Sequence, residues 1–375
     1  MIWAIVIGAL VILTVLWEAF ETVVLPRRVA RRFRLTVVFY RSTWGIWKLI
    51  ARKIRKISRR ETFLSFYGPL SLLFLFIFWA VGLIFGFGLL YYSQARVDVI
   101  ESKFTTALYL SGTTLFTLGI GDVVPHSAAG RFLAVAESGL GFGFLALVLS
   151  YLPVVYQAFS RREVNIVLLD ARAGSPPTAT ELLRRHVGAS GIESLMQLLR
   201  DWERSSAEIL ESHISYPAVA YFRSQHNNES WLGALTAMLD LTALLLASTV
   251  ETELRQARLT FAMCRHTVVD LAQLFHTAPH EIAADRLPAG EFERLCAQLE
   301  TTGFQVRERQ AAERKLLDLR KMYEPYLYAL SRYLFMEVPP WILAKEVTDN
   351  WRTSAWGRIS GLAVTSASET DDHSD

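Results

Sequence analysis

The chain has 375 residues, 52% of them hydrophobic and only 20% charged, with a formal net charge of +3. An ordinary soluble domain is about 45–50% apolar and about 25% charged, so this balance excludes a disordered chain and a collagen-like repeat. Cys264 and Cys296 form no CxxC pattern, which excludes a disulfide framework and a zinc site and leaves two reduced, buried thiols.

The near-neutral total conceals an asymmetry. Residues 1–160 hold 16 basic and 7 acidic side chains, whereas the remainder holds 23 basic and 29 acidic. Thirteen of the cations fall between Arg27 and Arg60, and no Asp or Glu occurs from Thr22 to Arg60. Long apolar runs bound this basic block, so it reads as a contact with anionic lipid headgroups and not with nucleic acid.

Residues 2–25 form the first apolar run, closed by Pro26. A helix needs about 20 apolar residues to cross the hydrocarbon. The positive charges follow this run, and no small-residue cleavage site is present, so it reads as a retained span and not a signal peptide. Its N-terminus is then outside and the 27–60 loop cytosolic. Glu18 and Glu21 share a face near its inner end, where pairing with Arg27, Arg28 or the neighbouring basic loop is expected. A proton-sensing role is the alternative. Residues 33–58 mix aromatic and aliphatic side chains with cations, which predicts an amphipathic helix on the inner leaflet. Arg28, Arg31 and Arg34 are spaced by three, but the spacing stops there, which argues against a voltage sensor.

Residues 63–92 form a second span, closed by Tyr91 and Tyr92 as an interfacial aromatic belt, and residues 132–159 form a third. Between them, residues 104–116 read as a helix too short to cross a bilayer. Thr117-Leu118-Gly119-Ile120-Gly121-Asp122 follows. Irregular backbone beside a membrane is tolerated where it is buried in protein or lines an aqueous path, which predicts a re-entrant loop. A pore that strips water from a cation must offer oxygens in place of the hydration shell. Backbone carbonyls all turn to one side only if residues of positive φ are interposed, which Gly119 and Gly121 adopt at little cost. Thr117 adds a hydroxyl oxygen, and Asp122 places negative charge at the outer mouth.

At these residues the chain resembles the potassium-channel superfamily in its minimal pore module: outer helix, pore helix, filter and inner helix. The resemblance covers roughly residues 62–160. The usual filter is Thr-Val-Gly-Tyr-Gly-Asp; here Leu118 stands for Val and Ile120 for Tyr. An aromatic ring at the place of Ile120 often ties the filter to a cuff of pore-helix Trp residues, and this chain has neither. The resemblance implies an ion-binding filter over Thr117, Leu118, Gly119, Ile120 and Gly121, permeant potassium, no other metal or cofactor, and assembly as a homotetramer, since one filter cannot close a ring. It also places Gly141 at the position of a gating hinge. Pro153 must interrupt the helical ladder and is expected to kink it, while Gly139 and Gly143 suit packing between membrane helices. Glu137, well inside the third span, either faces the cavity and concentrates cations or accepts hydrogen bonds behind the filter from hydroxyls such as Thr113.

Beyond Arg162, Val164–Asp170 reads as a strand, but no GxGxxG turn follows and a nucleotide-binding module is not expected. Helices are predicted over 179–188, 191–214, 229–249, 251–277, 288–301 and 305–336, the last interrupted at Pro325. The apolar 231–250 run carries Asp240 at its centre, which favours a buried bundle helix over a fourth span. His276 and His280 are four apart, but Pro279 breaks the helix that would align them on a metal. No nucleophile–base arrangement is evident, so no catalytic residue is expected.

The expected architecture is an all-α membrane protein: three transmembrane helices, a re-entrant pore helix and filter, and a helical cytosolic domain. Its parts are the first span (1–26), a basic interfacial segment (27–61), the pore domain (62–160), a linker (161–178), the cytosolic domain (179–360) and a disordered tail (361–375). The function expected is a cation channel in the cell membrane, passing potassium and answering to an unidentified cytosolic partner or ligand. The alternative is a membrane-anchored sensor or adaptor whose pore is vestigial.

Overall fold

The first apolar run folds as α1, Ile2–Ala19, and ends in a π-helical turn, Phe20–Val24. The computed structural model describes residues 2–25, 34–94, 103–186, 191–225, 229–248, 254–279, 285–288 and 290–343. Arg27, Arg28, Arg31, His280 and the tail after Gly361 lie outside these residues. The basic segment contributes α2, Leu35–Ala51, and α3, Ile57–Ser65. The expected single helix is interrupted at the cation run Arg52, Lys53, Arg55 and Lys56, where like charges at i,i+4 oppose helix. Next come α4, Tyr67–Gln94, α5, Phe104–Leu115, and a long α6, Ala128–Ala173. The remaining helices are α7, Ala179–His186; α8, Gly191–Ser215; α9, Trp231–Ser248; α10, Arg255–Leu274; α11, Glu291–Glu300; α12, Arg309–Lys321; and α13, Glu324–Leu334. A 3₁₀ turn, Pro217–Tyr221, follows α8. No strand occurs among the described residues.

The strand expected at Val164–Asp170 is the end of α6. Ile166, Leu169 and Ala173 are buried while Val164, Val167 and Leu168 are exposed, a helical and not an alternating pattern. The β-branched residues follow an already formed helix, and propagation is far cheaper than nucleation. The 161–178 stretch expected as a linker is thus helical as far as Ala173.

The chain divides into two units, residues 1–55 with 66–157 and residues 56–65 with 158–375. In the first, α1 packs along α4 through glycines. A Cβ on Gly86 would stand 2.6 Å from Ile12 Cγ1, and one on Gly8 would stand 2.7 Å from the Gly86 carbonyl oxygen. Such close approach is how helices associate in lipid, where water supplies no drive between them. The α2 helix docks through aromatic rings: Trp44 is buried with its ring 4.8 Å from Tyr67, and Thr43 Oγ1 lies 2.9 Å from the Tyr67 hydroxyl. Val38, Ile46 and Leu49 of α2 remain exposed, as suits a helix lying against lipid.

In the second unit, α9 is the central helix, with all but one of its 18 residues buried. Four helices are long and apolar enough to cross a membrane, and α9 is one of them. Its own unit encloses it, however, and Asp240 is satisfied there. Arg286 forms an ion pair with Asp240 and, at 3.1 Å, with Glu324, while Tyr323 donates to Asp240 Oδ1 at 2.7 Å. A buried carboxylate persists only when paired and hydrogen-bonded in this way. Pro325 stands in the first turn of α13, where its missing N–H costs nothing, so the expected break falls just before it.

Candidate functional site

The site begins with α5. This helix sits closely against α4, where a Cβ on Gly88 would meet Leu108 Cδ2 at 2.8 Å. Its last carbonyls catch the segment that follows. Thr117 N donates to Thr114 O at 3.0 Å, and Leu118 N donates to Thr113 O at 2.8 Å. Spending these N–H groups on the helix end leaves the carbonyls as the oxygens the segment can offer.

Thr117, Gly119 and Gly121 have φ values of +55°, +56° and +83°. Every second residue is therefore left-handed, the alternation that turns successive carbonyls to one side. The two glycines are as expected. Thr117 is not: a β-branched residue at positive φ is a strained exception, costing on the order of 1–2 kcal/mol. Composition gives no signal for it, because only glycine advertises this backbone.

The segment is exposed within one chain, with Leu118 and Ile120 both more than 60% accessible. Asp122, just beyond, accepts hydrogen bonds from Tyr109 OH on α5 at 3.0 Å and from Val123 N at 3.0 Å. The Tyr109 link anchors the outer end of the segment to the helix that launches it. Along α6, Phe132, Val135, Phe142 and Leu149 are also exposed, an apolar face unpartnered in the single chain.

Glu137 is fully buried and not presented to a cavity. It accepts from Ser111 Oγ of α5 at 2.5 Å and from Tyr91 OH of α4 at 2.8 Å. Thr113, the expected donor, bonds instead to its own helix at Leu110 O. Tyr91 is correspondingly buried and not part of an aromatic belt, because its hydroxyl is needed inside. Gly141 lies where α6 touches the end of α5: a Cβ there would stand 1.9 Å from the Leu115 carbonyl oxygen. The helix is unbroken through Gly141 and through Pro153. Glu18 accepts from the Thr36 N–H and hydroxyl, and Glu21 accepts from Trp17 Nε1 at 2.6 Å and pairs with Arg34 at 3.7 Å.

Within the second unit, the end of α6 is fastened by a buried cation that sequence reasoning did not single out. Arg162 pairs with Glu163 and donates to the carbonyls of Val219 at 3.0 Å and Phe222 at 2.9 Å. Next to this turn, Arg223 donates to Leu334 O at 2.7 Å and pairs with Glu61 of α3 at 3.5 Å. Burial pulls the Arg223 guanidinium down to about 10 and raises the Glu61 carboxyl. One turn thus holds both the end of α6 and the segment that precedes α4. Among the described residues, no group of three or more His, Cys, Asp or Glu is placed to hold a metal ion.

The family described as "Ion channel" matches residues 74–158, which run from α4 through the site into α6. The chain is also similar to the "Uncharacterized membrane protein YdjJ" of Bacillus subtilis (strain 168). The two are 23% identical over 289 residues, which cover 74% of this chain and 81% of that protein. No solved structure matches. The re-entrant helix, the left-handed alternation after it and this family match converge on one statement: residues 74–158 are the channel domain of an all-α membrane protein.

Proposed function

We propose that four copies of this chain form a potassium-conducting channel in the cell membrane, each contributing Thr117, Leu118, Gly119, Ile120 and Gly121 to rings of carbonyl oxygens. The observation that carries this reading is the left-handed backbone at residues 117, 119 and 121. A cation leaving water needs oxygens converging from all sides, and one chain supplies only one side. The exposed apolar face of α6 is open to lipid or to a neighbouring copy, and the proposed assembly covers it with the latter. In this reading Asp122 gathers cations at the outer mouth. Glu137 acts through Ser111 as a positioning residue for the pore helix, not as a cation ligand. The Tyr109–Asp122 and Glu137–Ser111 bonds brace a filter that lacks an aromatic ring at Ile120.

In this reading the start of α1 faces outside, the basic segment faces anionic lipid on the cytosolic leaflet, and the second unit is cytosolic. Gating is carried by α6, bending at Gly141 or Pro153, with the Arg162 and Arg223 contacts transmitting what the cytosolic unit binds. Liposome flux tests the proposal. Full-length chain should pass potassium and exclude sodium, and Gly119→Ala should abolish flux without lowering the yield of tetramer. Equal sodium flux would refute selectivity alone, whereas a tetramer silent under changes of pH, voltage and calcium would favour a sensor with a vestigial pore.

A further inference from the structure

Helix α6 is 46 residues long, about 69 Å at the helical rise and more than twice the hydrocarbon thickness of about 30 Å. Between Arg131 and Arg161 its sole charged residue is Glu137, and this stretch of about 43 Å suits a whole bilayer with its headgroups. The turns that follow, as far as Ala173, therefore stand in water.

One side of these turns is built into the second unit: Arg162, Glu163, Ile166, Leu169 and Ala173 are buried. The other side is apolar and open. Val164 and Leu168 are each 57% exposed and Val167 is 49% exposed, with Ala171 exposed beside them. A lone surface valine needs no explanation, but a contiguous apolar stripe in water marks an interface. Lipid, which can cover the exposed side chains nearer the start of α6, does not reach this one.

Three features point to the occupant. Val164, Leu168 and Ala171 are separated by four and three residues, the spacing with which a helix packs on its own kind. Five full helical turns separate Leu149 from Val167, so at the helical repeat the stripe prolongs the exposed face of α6. Ala128, where α6 starts, is only seven residues past Gly121. A ring of filters thus brings four copies of α6 around one axis, where a face turned inward meets its own equivalents.

We propose that Val164, Leu168 and Ala171, with Val167 at the edge, form the seam of a parallel four-helix bundle made by the cytosolic ends of α6 from four copies. The inference rests on the tetrameric reading above and deepens it by naming a contact between copies beyond the membrane.

Disulfide trapping in the full-length protein tests it. Cys264 and Cys296 are buried, so an introduced thiol reports alone. Val164→Cys and Leu168→Cys lie in the stripe, and Ala207→Cys on α8 is the control; all three positions are exposed, so none disturbs a core. Native mass spectrometry counts the copies in each preparation before oxidation with copper phenanthroline. The stripe variants should form disulfide-linked pairs of chains at least about fivefold faster than the control, because the bond needs Cα atoms within about 7 Å. An intact tetramer that cross-links no faster than the control would overturn the seam and leave the channel reading standing. A monomer throughout would overturn both. A Leu168→Cys thiol shielded from maleimide in the tetramer, yet not cross-linked, would assign the stripe to another segment of the chain and overturn the seam as well.

Discussion

Ser111 Oγ donates to Glu137 Oε1 at 2.5 Å, joining α5 to α6 a few residues before Thr117. Tyr91 OH occupies the other carboxylate oxygen at 2.8 Å, so one side chain gathers outer, pore and inner helices. A buried hydroxyl deprived of its acceptor costs about 1–3 kcal/mol. Glu137→Ala strands two of them and should lower the thermal midpoint of the assembled protein, together with its potassium-over-sodium ratio. Glu137→Gln keeps an acceptor oxygen and should fall between. Thermal unfolding and liposome flux on the same preparations measure both effects.

Gly141 and Gly139 should respond differently to the same substitution. A methyl group on Gly141 would lie 1.9 Å from the Leu115 carbonyl oxygen, which forces the backbone of one helix to move. Overpacking typically costs about 1–3 kcal/mol, and displacing a backbone puts this case at the upper end. Gly139 has open space within the chain. Gly141→Ala should therefore lose most flux while Gly139→Ala keeps most of it. Loss in Gly139→Ala alone would show that packing against α5 is not what the glycine at 141 serves.

Removing Arg162 should unfold the second unit more readily than removing its charge partner as well. Arg162→Met leaves the largely buried Glu163 without its cation and removes the guanidinium bonds to the Val219 and Phe222 carbonyls. Breaking a buried pair from one side costs about 3–5 kcal/mol. The double variant Arg162→Met/Glu163→Gln should recover part of that loss, read from the thermal midpoints of the full chain.

His213 should make the second unit acid-sensitive. The ring is fully buried against Trp231 at 4.9 Å, with Nδ1 bonded to Ile209 O. Burial, aided by the nearby Arg162 charge, pushes its pKa down to about 3. In the unfolded chain the imidazole takes its proton near about 6.5. Between these values the unfolded state holds one more proton. Stability is therefore complete above about pH 6.5 and falls by about 1.4 kcal/mol per pH unit toward the lower value. His213→Phe should flatten this slope in thermal scans from pH 7 to 4, even if it is less stable at pH 7.

Both thiols should be silent in the folded chain. Cys264 and Cys296 are buried and unpaired, and burial pushes them up to about 12 and about 11. Since the thiolate is the reactive form, maleimide at pH 7 should label neither until the protein is denatured.

Much of the channel domain is readable from one chain because its constraints are local. Apolar run lengths mark α1, α4 and α6, and Gly119 and Gly121 announce an unusual backbone at their own positions. Asp240 likewise marks α9 as enclosed by protein, although its partner Arg286 lies 46 residues away and no spacing identifies it. Thr117 was legible as an oxygen donor but not as a left-handed residue, because the bond from its N–H to the Thr114 carbonyl that ends α5 sets its backbone and leaves no mark on residue type.

The sequence by itself determined that this protein is helical, membrane-embedded and asymmetric in charge, because hydropathy and charge act residue by residue along the chain. Only the tertiary structure decided what the buried polar groups do. Glu137 became a brace and not a cavity charge because Ser111 and Tyr91 reach it from two other helices. Val164–Asp170 became helix because it continues α6. Arg162 became the fastening of that helix because the carbonyls of Val219 and Phe222 were there to receive it. A polar group taken out of water must find its partner in space, and sequence order does not say where that partner will be.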